Sequence, residues 1–173
     1  MNTISAPSAQ NSVRNEVKKI FNLQKNNQQK IADSTARDRI KKLDRLFDAV
    51  LRYRTEIQQA LYKDFRKHPS EVDIGEIYKI TSDIKHTRSH LAKWMRPKKV
   101  STPLSQIGSS SYIHYEPKGV VLIISPWNFP VNLTFGPMIS AIAAGNCIVI
   151  KPSEHTPHAS AVMKKIINEL FDE

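Results

Sequence analysis

Asn128 is bracketed by two prolines in the segment Ser125-Pro126-Trp127-Asn128-Phe129-Pro130. Proline fixes its own φ and pushes the residue before it away from helical backbone, so no helix starts before Pro130. The segment directly follows an apolar run, Val120-Val121-Leu122-Ile123-Ile124, that reads as a fully buried β-strand. A neutral carboxamide is therefore held at the carboxyl end of a strand, where open α/β sheets hold their ligands. An amide N–H there can be donated to an oxygen that becomes negative during a reaction. The bland alternative is an asparagine that caps the turn between strand and helix.

A second polar group of residues follows. Lys151-Pro152-Ser153-Glu154 ends another apolar run, Cys147-Ile148-Val149-Ile150. Two polar constellations thus occupy equivalent ends of two neighbouring strands. Lys-x-x-Glu on its own is better explained by a surface ion pair at a helix start, where Glu also suits the helix dipole. Cys147 is the only thiol. Inside an apolar strand it would have a raised pKa and little nucleophilicity, so it reads as core filler. His86 and His90 share a helix face at i, i+4 spacing, yet zinc wants three or four ligands and no acidic or thiol set accompanies them. They read as helix surface, and no metal site is expected.

The elements that position these groups follow from periodicity. Residues 1–10 read as a flexible tail, and a first helix is expected from Ser12 to Gln24. Asp33-Ser34 offers an N-cap for the next helix. There Ile40, Leu43, Leu46, Phe47, Val50 and Leu51 form one apolar face, continued by Ile57, Leu61 and Phe65 after a break near Tyr53. Pro69-Ser70 begins a long helix. Its expected inner stripe is Ile74, Ile77, Tyr78, Thr81, Ile84, Leu91, Trp94 and Met95, and Arg96-Pro97 stops it. Val100 to Ile107 and Ser111 to Glu116 flank Gly108-Ser109-Ser110 and read as a β-hairpin. After strand 120–124 come a helix from Val131 to Ala144, a Gly145-Asn146 C-cap and strand 147–150. Thr156-Pro157 then reads as N-cap and first helical residue of a helix from His158 to Phe171. The order β-α-β-α is the opening of a parallel, doubly wound sheet, so the fold class is α/β.

Composition narrows the function classes. A length of 173 residues with 40% hydrophobic content argues against global disorder. One cysteine excludes an intrachain disulfide framework and fits a reducing compartment. The opening residues carry no secretory signal pattern. The net charge of +10 is uneven: residues 1–97 hold 20 Lys/Arg against 11 Asp/Glu, residues 98–173 hold 6 against 5. From Gly119 to Ile150, 32 residues lack any Asp, Glu, Lys, Arg or His. That is long enough for a membrane span. Pro126, Pro130, Gly136, Pro137 and Gly145 interrupt it, however, and a buried strand–helix–strand unit explains it better.

The stretch from Gly119 to about Leu170, with PWNFP and KPSE at this spacing, resembles the aldehyde dehydrogenase superfamily and is most similar to its class 3-type branch. The resemblance implies a fold of N-terminal helices plus the first part of a Rossmann-like parallel sheet, incomplete in this chain. It implies that Asn128 helps bind the oxyanion of a thiohemiacetal formed on a catalytic cysteine. Lys151 and Glu154 would face the adenosine ribose of NAD, with NADP possible, and Ser153 would belong to the same cofactor site. Ile124, Ser125 and Trp127 would line the cofactor groove. It further implies a cytoplasmic homodimer acting on a small-molecule aldehyde. The expected division is residues 11–97 as the helical part of the cofactor-binding domain, 98–118 as an oligomerisation arm and 119–173 as the start of the dinucleotide-binding domain. The family's cysteine nucleophile and glutamate base match nothing in residues 1–173. The chain is therefore expected to be the N-terminal part of a longer enzyme, inactive alone. No G-x-G-x-x-G or P-loop occurs, so the cofactor rests on the resemblance.

The competing reading is a non-enzymatic basic helical module that binds nucleic acid or a partner protein. Against it, charges alternate in sign along the helices, as in Arg37-Asp38-Arg39 and Lys63-Asp64-Phe65-Arg66. No nucleic-acid partner is expected.

Overall fold

The computed structural model describes residues 7–171. Five helical segments precede the sheet: α1 (Pro7–Ala32), α2 (Ala36–Arg52), α3 (Arg54–Phe65), α4 (Pro69–Val72) and α5 (Tyr78–Trp94). One π-helical turn, Asp73–Ile77, joins α4 to α5. Strands β1 (Lys98–Val100) and β2 (Ser111–Ile113) form an antiparallel arm. Strand β3 (Val120–Ile124), helix α6 (Asn132–Ala144), strand β4 (Cys147–Lys151) and helix α7 (Pro157–Leu170) complete the chain.

Local chemistry explains most boundaries. Helix α2 opens on Thr35, whose hydroxyl accepts from the Asp38 N–H at 3.2 Å while the Asp38 carboxylate accepts from the Thr35 N–H at 3.1 Å. This reciprocal box is worth about 1 kcal/mol, and it moves the cap one residue past the expected Asp33-Ser34. Helix α6 ends on Gly145 at φ 79°, a left-handed conformation that suits glycine. The buried Arg39 guanidinium lies against that glycine. It donates to the Ala143 carbonyl (2.9 Å), the Ala32 carbonyl (2.8 Å) and the Ser34 hydroxyl (3.0 Å). One side chain thus holds the carboxyl ends of α1 and α6 together. Helix α7 begins at Pro157 as expected, but the Thr156 hydroxyl donates to the Ser153 carbonyl instead of capping. The cap comes from α3: the Asp64 carboxylate accepts from the His158 (3.2 Å) and Ala159 (2.9 Å) N–H groups.

The core is built from Leu43, Leu46 and Val50 of α2, Ile57 and Leu61 of α3, and Ile80 and Ile84 of α5. Phe135 and Ile139 of α6 and Met163 and Ile166 of α7 complete it. Each such side chain contributes roughly 1.5–3 kcal/mol on burial. Strands β3 and β4 pair in parallel, with Val120 opposite Cys147 and Ile124 opposite Lys151. The ladder runs on into the next loop through Ser125 N–H to the Lys151 carbonyl at 3.1 Å.

Four expectations need correction. Strand β3 is not buried on both faces: Ile123 is buried and Val121 packs on the core, but Leu122 is 59% and Ile124 69% exposed. Successive strand residues point to opposite faces, and helices cover only one of them at these positions. The first helix is longer than expected and includes residues 7–10 of the supposed tail; residues 1–6 lie outside the described part. The hairpin is smaller than expected. Thr102-Pro103 ends the first strand, since proline cannot donate to a ladder, and a 3₁₀ turn, Leu104–Gln106, leaves Leu104 and Ile107 exposed. In the long helical stretch, Ile74 is 71% and Tyr78 65% exposed, and Trp94 and Met95 are also exposed. The π turn adds a residue to the helical repeat. The stripe that faces inward is Val72, Glu76, Ile77, Ile80, Thr81, Ile84, Thr87 and Leu91.

Candidate functional site

Residues 125–131 leave β3 and residues 152–156 leave β4 at the same end of the parallel pair. Asn128 lies in the first loop. Its side chain is exposed, and among the described residues only its backbone carbonyl is engaged. That carbonyl accepts from the Lys67 ammonium at 2.9 Å. The same ammonium lies 3.9 Å from the centre of the Phe129 ring, a cation–π contact, and 3.2 Å from Glu76 Oε1. Glu76 Oε2 accepts from the Asn132 N–H at 2.7 Å, at the start of α6. Burial pushes the Glu76 carboxyl above its ordinary pKa. The Asn132 N–H and the Lys67 ammonium act in the opposite direction.

The neighbours of Asn128 divide into exposed and structural. Trp127 is exposed, with its ring 6.2 Å from Phe65. Ile124 is exposed beside it. Ser125 is buried, and its hydroxyl accepts from Thr134 at 2.8 Å, so only its backbone borders the open side. In the second loop, Lys151 and Glu154 are exposed and pair with each other. The Lys151 hydrogen bond holds the Glu154 carboxyl below the usual carboxylate range. Ser153 is buried and turns the chain: its hydroxyl accepts from the His155 N–H at 3.2 Å. The two loops therefore bring Asn128, Trp127, Ile124, Lys151 and Glu154 to one edge, while Ser125 and Ser153 support them from within.

Other candidates lie elsewhere. Cys147 is buried and burial raises its thiol pKa, which leaves it a poor nucleophile. The His86 and His90 rings lie 4.4 Å apart, tilted, on the exposed face of α5, and His90 stacks on Trp94. Among the described residues no three His, Cys, Asp or Glu side chains cluster as metal ligands. No helix there is long and apolar enough to cross a membrane. Lys67 and Glu76 were missed by sequence reasoning. Both read as solvated charges, and the only available signal was Gly75, a glycine inside a helical pattern.

Helices on a parallel pair of strands define an α/β protein, and a proline-bracketed amide and a Lys/Glu pair make the carboxyl edge of its sheet the candidate site. Residues 4–171 match the model of the Aldehyde dehydrogenase family, and the chain belongs to that family. It is 39% identical over 161 residues to the putative aldehyde dehydrogenase AldX of Bacillus subtilis, covering 93% of this chain and 36% of that protein. It is 44% identical over 116 residues to the aldehyde dehydrogenase family 3 comG of Dictyostelium discoideum, covering 67% and 25%. Among solved structures it superposes on the substrate-bound state of Staphylococcus aureus AldH with a TM-score of 0.86. That match has 42% identity and covers 90% of this chain and 34% of the other. The chain thus carries part of the aldehyde dehydrogenase fold and spans about a third of the length of the relatives it matches first.

Proposed function

We propose that this chain supplies the oxyanion-binding amide and part of the cofactor groove of an NAD(P)-dependent aldehyde dehydrogenase. The reaction is oxidation of an aldehyde to a carboxylic acid through a cysteine thiohemiacetal. Asn128 donates its carboxamide N–H to the oxygen that becomes negative when the thiolate adds to the aldehyde. The thiolate comes from outside residues 1–173, because Cys147 is buried. The observation that carries the reading is the exposed Asn128 side chain on a loop whose backbone is pinned. An oxyanion donor needs that combination, since its value lies in not having to reorganise.

The exposed groups at the strand ends fit a nicotinamide dinucleotide. Lys151 offers a donor and Glu154 an acceptor to ribose hydroxyls. Trp127, Ile124 and the Ser125 backbone border the groove, and Ser153 shapes the turn that presents the pair. NAD, when bound, accepts the hydride from the substrate. The Lys151–Glu154 pair is an exposed surface ion pair, screened by solvent, so opening it towards a ribose costs little. The arm around 98–118 exposes Leu104, Ile107, Tyr112, Ile113 and Tyr115, which supports its role as the assembly surface of a cytoplasmic homodimer.

The test is a chimaera in which residues 11–171 replace the equivalent segment of S. aureus AldH. It should oxidise aldehydes with NAD, and Asn128→Ala should lower kcat by about 10²–10³-fold with little change in KM for the cofactor. An unchanged kcat would remove Asn128 from the chemistry.

A further inference from the structure

Glu76 is fully buried and the Lys67 side chain is only 10% exposed. Burying an ion pair costs desolvation that its attraction often fails to recover, and a well-packed apolar pair serves stability as well or better. The pair therefore calls for another reason, and its contacts supply one. Lys67 Nζ reaches the Asn128 carbonyl at 2.9 Å and the Phe129 ring at 3.9 Å. Glu76 Oε2 reaches the Asn132 N–H at 2.7 Å. Both charges are directed onto residues 128–132, and between Lys118 and Lys151 the sequence itself offers no ionic group.

The backbone is arranged to make this possible. The π turn Asp73–Ile77 carries Glu76 on its inner side, while an uninterrupted helical repeat would have put Ile74 there. Single π turns inside helices recur at functional sites. The turn also lies close against the loop: a Cβ on Gly75 would fall 2.9 Å from Phe129 Cε1. A side chain at position 75 would have to displace the Phe129 ring next to Asn128.

We propose that Lys67 and Glu76 are positioning residues for Asn128. Lys67 fixes the Asn128 carbonyl, and Glu76 holds Lys67 and the first turn of α6. Together they set the direction in which the Asn128 carboxamide points. The proposal rests on the reading of Asn128 as oxyanion donor, and the experiment separates the two.

In the chimaera with S. aureus AldH, the variants are Lys67→Met/Glu76→Gln together and Asn128→Ala alone. The double variant removes both charges at nearly constant volume, so it leaves no unpaired buried ion. Its thermal midpoint should stay within a few degrees of the unsubstituted chimaera, while kcat falls by about 10²-fold, as a misplacement near 1 Å does. KM for aldehyde and for NAD should stay within about threefold, because neither residue touches a ligand. A second readout uses the same chimaera. Glu76→Leu should raise the hydrogen-exchange rate of the Val131 and Asn132 amides at least about tenfold relative to amides of α2. If Asn128→Ala lowers kcat but the double variant keeps it within twofold, the positioning role is wrong and the oxyanion reading stands. If Asn128→Ala leaves kcat unchanged, the oxyanion reading fails and the proposal fails with it. Loss of the cooperative transition in the double variant would mark the pair as structural, an unchanged amide exchange rate in Glu76→Leu would show that Glu76 does not hold the first turn of α6, and either result would overturn the proposal.

Discussion

Lys151 and Glu154 pair across a single turn of exposed loop, and the consequence concerns cofactor choice. A carboxylate that accepts from ribose hydroxyls repels a 2′-phosphate at the same place. Glu154 is ionised at neutral pH, since its hydrogen bond from Lys151 lowers its pKa further. NAD should therefore be preferred over NADP in the chimaera, though not exclusively, because Lys151 can compensate part of a phosphate charge. Glu154→Gln should narrow the preference by about tenfold, by removing one charge contact with the phosphate. The ratio of the two kcat/KM values measures it directly. A ratio that does not move would take Glu154 away from the ribose.

The π turn is the element on which the site depends, and it is tied to its surroundings at its first residue as well as at Glu76. Asp73 accepts from Arg54 Nε at 2.8 Å and Nη2 at 2.6 Å, and from Gln58 at 2.8 Å. This forked contact joins the turn to α3. The Arg54 hydrogen bond, with help from Gln58, lowers the Asp73 pKa below the ordinary aspartate value against the effect of burial. A lowered folded-state pKa means that the unfolded chain binds the proton more tightly. The stabilisation is thus fully present above the unfolded pKa of about 3.9 and is lost as pH falls through the folded value. Arg54 is more than half exposed, so solvent screening keeps the effect small. Asp73→Asn should lower the thermal midpoint at pH 7, and the two midpoints should converge near pH 2. A constant difference across that range would show that the contact contributes nothing electrostatic.

At the scale of the molecule, the basic charge and the apolar surface have separate consequences. Arg52, Arg54, Lys67, Arg88 and Lys165 each pair with a carboxylate of another element. These five cations tie the helices to one another and to the π turn, while the larger part of the positive charge stays outside such pairs among the described residues. The apolar surface is less well covered. Leu122 and Ile124 on β3, Val17 and Phe21 on α1, and the arm around Ile107 are all exposed. Strands β3 and β4 form a sheet of two strands only, so each keeps an unpaired edge among the described residues. Unpaired edges beside apolar faces invite association. Residues 1–173 expressed alone should form oligomers or aggregates, with no aldehyde oxidation and at best weak NAD binding. Leu122→Lys with Ile124→Lys should shift the population towards monomer. Size exclusion with light scattering reads both results. A monodisperse, sharply melting monomer without those substitutions would show that the fragment covers its own surface.

Much of the site's position was legible in the sequence because it depends on local chemistry. Two prolines restrict the backbone around Asn128 wherever the chain goes. Five apolar residues before it and four before Lys151 make strands, and Gly145 ends the helix between them. Those features fix a strand–helix–strand unit with its loops at one end, and the tertiary structure contains it. What periodicity could not yield was burial. Leu122 and Ile124 are as hydrophobic as Val121 and Ile123, and only the placement of the helices decides which pair is covered. Ile74 was misassigned to the inner face because one inserted residue at Asp73–Ile77 shifts what precedes Ile77, and a repeat of 3.6 cannot register it; Tyr78, Trp94 and Met95 follow the turn, and their exposure was decided by packing. Glu76 reads in sequence as any surface acid. Its partners lie 9 residues away at Lys67 and 56 away at Asn132, and a buried charge is tolerated only where such partners meet it. The amide's address was therefore written locally, but the ionic clamp that holds it exists only in three dimensions.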